Sequence, residues 1–187
     1  MLGVSLTEIT LTDYEFDPEE DVLGGWGHDL TGSLLGHDVT GYTARAVGSA
    51  DAVVDHALRF VCEGLDHRSP EVRAAIRVRV GEPATTVAVM RTVWRALLDP
   101  EPCDAGAHPG MSSEAAKVFC TTALRDVVRQ AASLCGGAGY AGADGPLGRH
   151  YRDALALLIV GAPNDVLLSR IGERELGPSA GAGPLPG

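Results

Sequence analysis

The chain has 187 residues, 45% of them hydrophobic, and a formal net charge of −10. This length predicts one domain with short additions, and the composition is that of a globular protein. The excess of acidic residues argues against a nucleic-acid partner, because binding to phosphate backbones requires a basic surface.

No apolar run reaches the about 20 residues that a membrane span requires, and the opening residues MLGVSLTEIT lack the basic start and apolar centre of a signal peptide. The four cysteines are far apart and form no C-x-x-C pair. This spacing favours reduced, buried thiols and argues against a zinc site. We therefore expect a cytoplasmic protein with no metal and no membrane partner.

Within the first segment, LTEITLTDYEFDPEEDVLG, a strand is predicted that ends at Pro18 and the acidic residues after it. Ile9 and Leu11 alternate in one phase, and Tyr14 and Phe16 alternate in the other, so a bend is expected near Asp13. No second strand of similar quality follows. Because a single strand cannot satisfy its backbone polar groups, residues 1–24 are expected to pair with protein outside this segment.

From Val39 the apolar residues recur three or four apart, which predicts a long helix that ends near Gly64. Residues 69–71, Ser-Pro-Glu, predict the start of a second helix. Gly81 and Pro83 predict that this helix kinks or breaks, and it resumes through Val87, Met90, Trp94 and Leu97.

Ser112 or Ser113 is predicted to cap a third helix. A fourth helix is predicted over about 147–160, and Pro163 begins a last one that ends at Leu176. We therefore predict a mainly α protein: an antiparallel four-helix bundle over residues 25–176, preceded by a short β segment and followed by a disordered tail over 177–187. The third helix should turn an apolar stripe inward and a polar face outward; the stripe is Ala116, Phe119, Ala123, Val127, Ala131 and Leu134, and the face is Lys117, Thr121, Arg125 and Arg129.

Gly137, Gly139 and Gly142 spell G-x-G-x-x-G, the spacing of a dinucleotide-binding turn. Such a turn requires a strand before the first glycine and a helix directly after the third. Here a predicted helix precedes it and the turn residues 143–146 follow, so the Rossmann interpretation is rejected.

Several motifs together resemble the C-terminal half of the acyl-CoA dehydrogenase family. Residues 134–140, LCGGAGY, are similar to that family's L-G-G-x-G-[FY] turn, and Pro146 with YRDA at 151–154 is similar to its P-x-x-R-x-Y-R-D-A stretch. Residues 8–24 resemble the last strand of the family's middle domain, and AVG at 46–48 resembles the A-L-G of its first long helix. The resemblance spans roughly residues 6 to 176.

The resemblance implies a four-helix bundle that makes dimer and tetramer contacts and covers an FAD. It implies that Gly136, Gly137 and Gly139 let backbone N–H groups approach the pyrophosphate of a flavin held by a neighbouring subunit. It also implies that Arg68 corresponds to the arginine of the family's R-x-x-F-G flavin motif, although Glu71-Val72 stands where Phe-Gly would be. Ser133 stands in place of the family's glutamine.

In most of the family the catalytic base is the glutamate of a Y-E-G-T segment before the last helix. This base also has no counterpart in this sequence. Val160 occupies the position of that glutamate, and Ala162 occupies the position of the following threonine. A minority of the family carries the base on the first long helix, and there the resemblance assigns it to Asp38; the other interpretation of Asp38 is an exposed residue at a helix start.

The family's N-terminal domain and most of its middle β-domain have no counterpart either. The resemblance thus implies a subunit or fragment of a flavoprotein that oxidises an acyl thioester, bound to CoA or a carrier protein. We expect it to be completed by a partner chain or by an oligomer, and inactive alone. Two alternatives stay open: a structural or regulatory relative without catalysis, and a bundle reused for non-redox chemistry or binding of a small molecule.

Overall fold

The computed structural model describes residues 28–98, 112–141 and 145–177, together with residues 8, 10, 12, 13, 15 and 17. These residues contain six helices and no strand. The mainly α class predicted from the sequence is confirmed. The helices are α1 (His28–Leu65), α2 (Pro70–Leu98), α3 (Ser113–Cys135), α4 (Gly137–Ala141), α5 (Pro146–Leu157) and α6 (Asn164–Leu176).

The predicted β segment over residues 1–24 lies almost entirely outside the described residues, as does the predicted tail after residue 177. Both domain boundaries therefore stay predictions. Within the described part of the chain, no helix is long and apolar enough to span a bilayer.

Helix α3 occupies the centre of the bundle, where it contacts α1, α2, α4, α5 and α6. Its neighbours contribute mostly small or medium-sized apolar side chains to the core, together with the aromatic ring of Tyr42. The buried core includes Ala46, Ala50, Val53 and Ala57 of α1, Val87, Met90 and Val93 of α2, and Cys120, Leu124, Val127, Val128 and Ala131 of α3.

The long helix α1 buries the stripe that its sequence predicts. Val39, Tyr42 and Ala46 begin that stripe and are all buried. The hydroxyl of the buried Thr43 donates to the carbonyl of Val39 at 3.0 Å, so this polar group needs no partner from another helix. The helix ends at Leu65, one residue after the predicted stop.

The sequence predicts a kink or a break at Gly81 and Pro83; helix α2 continues through both residues, so the break is wrong. Pro83 is buried inside the helix. A proline in a helix interior costs roughly 3 kcal/mol, because it removes one backbone hydrogen bond and crowds the preceding turn. The packing of α2 along both α1 and α3 outweighs this cost. The first turns of α2 lie at the surface, where the side chain of Val72 is 43% exposed.

Helix α3 begins at the predicted serine, because the Ser112 hydroxyl accepts the N–H of Ala115 at 3.1 Å. The predicted faces of α3 need correction. Lys117 and Thr121 are completely buried, whereas Phe119, predicted to face the core, is exposed. The rest of the prediction is confirmed where burial decides it: Ala116, Val127 and Ala131 are buried, and Arg125 and Arg129 are exposed. The buried face is therefore wider than the expected stripe, and polar groups at the start of α6 provide partners for Lys117 and Thr121.

Helix α5 ends at Leu157, before the predicted limit at Val160, because residues 158–163 form a turn. Pro163 then serves as the N-cap of α6, close to the start that the sequence predicts. The turn brings Ala162 and Asn164 under α3, and both are buried there.

Candidate functional site

The glycine corner, defined as residues 136–139, connects α3 to α4. Gly136 has φ +58°, which lies in the left-handed region that glycine tolerates best. Its N–H donates to the Ser133 carbonyl at 3.4 Å, and the N–H of Gly139 donates to the Gly136 carbonyl at 3.0 Å. Two of the three N–H groups predicted to face a pyrophosphate are therefore used inside the corner. The N–H of Gly137 has no backbone acceptor among the described residues.

Gly139 lets α4 fold back closely onto α3. A Cβ atom at this position would overlap the carbonyl oxygen of Ala132 and press on the Cys135 side chain. A Cβ at Gly137 would meet no atom within 4 Å. Packing therefore explains the glycine at 139, whereas packing does not require the one at 137.

Arg79 of α2 reaches the same corner, and the sequence patterns did not reveal it. Its Nη2 donates to the Ser133 Oγ at 2.7 Å and to the Ser133 carbonyl at 3.0 Å. The guanidinium thus places a positive charge against the C-terminal end of α3, where exposed carbonyls favour one. The remaining N–H groups of Arg79 point to no other partner in the described residues.

Arg68 lies in the short turn between α1 and α2 and is exposed. Its backbone N–H donates to the Leu65 carbonyl at 3.1 Å, and the guanidinium forms no ion pair among the described residues. Ser69 follows and accepts the Val72 N–H weakly, at 3.4 Å. The exposed guanidinium of Arg68 is therefore available to bind an anion. Its contact with a flavin stays a prediction.

The resemblance predicts that the connection between α5 and α6 matches the segment where the family carries its usual base. Val160 is half-buried and packs against the core. Gly161 has φ +77°, and a Cβ there would overlap the ring of Tyr42 on α1. The segment thus fits tightly on α1, with an apolar side chain at the position of the expected carboxylate.

Lys117 holds the same connection from the other side. Its Nζ donates to the Ala162 carbonyl at 2.8 Å and to the Asn164 Oδ1 at 2.7 Å. Asn164 in turn donates to the Thr121 hydroxyl at 3.0 Å. No carboxylate pairs with this ammonium among the described residues, and burial lowers the pKa of Lys117 to about 8.

These contacts make the α5–α6 connection a structural joint. Lys117 and Asn164 are both buried, so neither can touch a substrate in this arrangement. Asp38, the alternative base, lies within α1, and its side chain falls outside the described part. Its role stays a prediction.

An open groove of about 560 Å³ runs along the outer side of α3. It lies at the surface between α3, α6 and Thr86 of α2, and not in the bundle core. Asp126 and Gln130 provide its main polar groups. The apolar lining comes from Val118, Phe119, Ala123, Leu168 and Ile171.

Comparison with solved structures gives a matching fold. A chain from the structure of the electron-transferring flavoprotein of Acidaminococcus fermentans, studied towards a mechanism of flavin-based electron bifurcation, aligns with a TM-score of 0.58 and 23% sequence identity. The alignment covers 76% of this chain and 37% of that one, so the present chain spans little more than a third of that neighbour. At this identity the likeness concerns the fold alone.

No curated protein sequence matches the chain. The family model of the acyl-CoA dehydrogenase C-terminal domain matches residues 25–176 of the chain. This range includes all six helices and the glycine corner. The chain therefore belongs to the acyl-CoA dehydrogenase family, of which it carries the C-terminal helical domain.

Proposed function

We propose that this chain is one part of an FAD-dependent flavoprotein that oxidises an acyl thioester. A partner chain or further copies of the chain supply the remaining parts of the active site. Family membership supports this proposal, because the matched domain is a dehydrogenase domain. The observation that carries it is the contact between Arg79 and Ser133, which holds a guanidinium beside an exposed glycine corner.

The corner fits a diphosphate on physical grounds. Gly136 and Gly137 are exposed, and no Cβ atoms block the approach of a ligand to the backbone. The Gly137 N–H and the spare donors of Arg79 are suited to phosphate oxygens, and Arg68 adds a second exposed guanidinium. Gly139 acts indirectly, because it sets the packing of the corner.

When bound, the flavin supplies the chemistry of hydride acceptance. The chain itself contributes a site for the anionic part of the cofactor and, through Asp38, a carboxylate that takes a proton from the α-carbon of the thioester. An aspartate is one methylene shorter than glutamate, so the helix that carries it must lie closer to the substrate. The apolar contacts of Val160 with the core support a base outside the α5–α6 connection.

Flavin binding tests the proposal directly. The chain is purified alone and with co-expressed candidate partners, and flavin absorbance and molar mass are measured together. We expect flavin to be retained in an oligomer, and we expect Gly137→Val and Arg79→Glu to weaken its retention at least tenfold. Arg129→Glu, on an exposed position of α3, serves as the control. If neither oligomer nor partner complex retains flavin, the proposal fails.

A second function has support from one observation. The α5–α6 connection is fixed by Lys117 and Tyr42 with no carboxylate on it, as expected for a structural or regulatory relative that has lost catalysis. Turnover of acyl thioesters separates the two proposals. A flavin-loaded complex that oxidises thioesters, and that loses this activity but keeps its flavin in Asp38→Ala, excludes the second function. A flavin-free complex without turnover favours it.

A further inference from the structure

An open pocket of about 350 Å³ lies between α1 and α2. Its volume falls in the usual range of small-molecule sites, roughly 300–1,000 Å³. One wall comes from each helix, and the lining residues of each wall follow the spacing of three or four that places side chains on one helix face. The residues of this pocket, which we call the Trp94 pocket, are Ala44, Val47, Gly48 and Asp51 of α1 and Arg91, Trp94 and Arg95 of α2.

Small residues on α1 create the space in the Trp94 pocket. Gly48 has no side chain, and a Cβ atom there would meet no atom within 4 Å. Ala44, one turn earlier, adds only a methyl group to this wall. On the opposite wall, Trp94 is partly buried against the core and also lines the pocket. The pocket is therefore suited to a flat aromatic ring, which can lie close to the α1 backbone and against the indole.

The lining residues carry one positive charge in excess, because two arginines and one aspartate contribute to them. Arg91 pairs with Asp51, with 2.7 Å between Nη2 and Oδ1. Arg95 lies one turn later on the same side of α2, is exposed, and forms no ion pair among the described residues. The N–H groups of a guanidinium match the two oxygens of a carboxylate. A single unpaired charge complements a ligand with one carboxylate.

The Trp94 pocket is separate from the glycine corner. Arg79 contacts the corner, and Arg95 lies 16 residues further along α2, which corresponds to about 24 Å. No residue of the corner lines the pocket. Binding in the pocket therefore requires neither a flavin at the corner nor turnover of a thioester.

We propose that the Trp94 pocket binds an aromatic carboxylate. The ring lies against Trp94 and over Gly48, and the carboxylate accepts N–H groups of Arg95. Arg91 remains paired with Asp51, so Arg95 provides the selectivity for a negative charge. Because such a ligand contacts both α1 and α2 and binds only the folded chain, it should also raise the temperature of thermal unfolding.

Three probes with the same two-ring carbon skeleton test the chemistry of the ligand. They are 2-naphthoate, its uncharged amide 2-naphthamide, and its saturated counterpart decahydro-2-naphthoate. Titration calorimetry of the full chain gives the dissociation constant of each probe. NMR follows the indole N–H signal of Trp94, which is identified by its loss in Trp94→Phe.

Two variants test the place of binding, and each has a matched control. Arg95→Gln removes the unpaired charge, and Arg77→Gln makes the same change at an exposed position near the other end of α2. Gly48→Leu fills the pocket with a side chain, and Gly172→Leu makes the same change on α6, where the surroundings are also open. Circular dichroism checks that all four variants keep their helix content.

We expect the wild-type chain to bind 2-naphthoate with a dissociation constant of about 1 mM or less, as expected for a ligand of about 13 heavy atoms. The probe should shift the indole signal of Trp94. The amide should bind at least about tenfold more weakly, and the saturated carboxylate at least about threefold more weakly. Arg95→Gln and Gly48→Leu should each weaken the binding of 2-naphthoate at least about tenfold, and both controls should stay within about twofold of the wild type.

The proposal is wrong if 2-naphthoate does not bind at millimolar concentration, or if it binds without a shift of the Trp94 signal. Equal affinities for the carboxylate and the amide would show that the charge of Arg95 is not used. Equal affinities for the aromatic and the saturated carboxylate would exclude the aromatic class. If Gly48→Leu binds as tightly as Gly172→Leu, or Arg95→Gln as tightly as Arg77→Gln, the ligand lies elsewhere and the assignment of the pocket fails.

Discussion

Lys117 and Asn164 meet inside the bundle, where the lysine Nζ donates to the asparagine Oδ1 at 2.7 Å. Lys117 is completely buried and has only neutral acceptors, Asn164 and the Ala162 carbonyl, among the described residues. A buried ammonium without a carboxylate is costly, and burial lowers its pKa accordingly. The stability of the bundle should therefore depend on pH in a direction that can be stated.

Replacement of Lys117 by methionine tests this dependence. The folded pKa is about 8 and the usual value is 10.5. Below pH 8 the amine of Lys117 is protonated in both the folded and the unfolded chain. Between pH 8 and pH 10.5 only the unfolded chain keeps this proton. The free energy of unfolding therefore increases as the pH rises through this range, by up to about 3 kcal/mol. We expect urea unfolding of Lys117→Met to lack this gain between pH 7 and pH 10. Arg129→Met is the control and should follow the wild type; equal pH dependence in all three would contradict the prediction.

Cys120 should act in the opposite direction. Burial raises the pKa of its thiol from 9.0 to about 12, so above pH 9 the unfolded chain releases a proton that the folded chain keeps. This group therefore reduces stability as the pH rises. Under reducing conditions, the unfolding free energy of Cys120→Ala should fall less steeply above pH 9 than that of the exposed control Cys62→Ala. Parallel curves for the two variants would refute the assignment.

Gly139 and Gly137 form a matched pair for separating packing from ligand binding. Gly139→Ala should destabilise the bundle by about 1–3 kcal/mol, because the new methyl group overlaps the Ala132 carbonyl. Gly137→Ala should change stability by less than about 1 kcal/mol, because its surroundings are open. Thermal unfolding measures both, and similar losses for the two variants would argue against the observed corner geometry.

Gly161 and Gly177 form a second pair, because both have φ values near +70°. Gly161→Ala must also overlap the ring of Tyr42, whereas Gly177→Ala meets open space. We expect Gly177→Ala to cost about 1 kcal/mol from backbone strain alone and Gly161→Ala to cost at least about 1 kcal/mol more. Chemical unfolding of the two variants gives the difference, and a difference of zero would mean that Tyr42 does not pack on this turn.

The sequence was most informative where local periodicity and burial agree. The stripe that begins at Val39 and Tyr42 is buried as predicted, and Ser112 caps α3 as predicted. Pro83 shows why local propensity is not sufficient: it predicts a kink or a break, but α2 packs on α1 and α3 through the buried Pro83, Val87, Met90 and Val93, and the helix is continuous.

The burial of Lys117 and Thr121 could not be predicted either, because it also depends on residues that are distant in the sequence. A lysine followed four residues later by a threonine resembles a solvated face, and only the arrival of Asn164 from a distant part of the chain satisfies them inside. Arg79 is a similar case, because its partner Ser133 is 54 residues away. By contrast, the motifs of the glycine corner are contiguous, so the family could be recognised from the sequence.

Lys117 is the only lysine in the chain, and its amine is completely shielded in the folded bundle. An acylating or crosslinking reagent that targets lysine side chains therefore finds no target until α3 separates from the α5–α6 connection. Because an α-amine reacts with the same reagents, the modification is read on the peptide that contains Lys117, and its slow incorporation there reports how often this connection opens under native conditions. The bundle thus contains its own single-site chemical probe of opening.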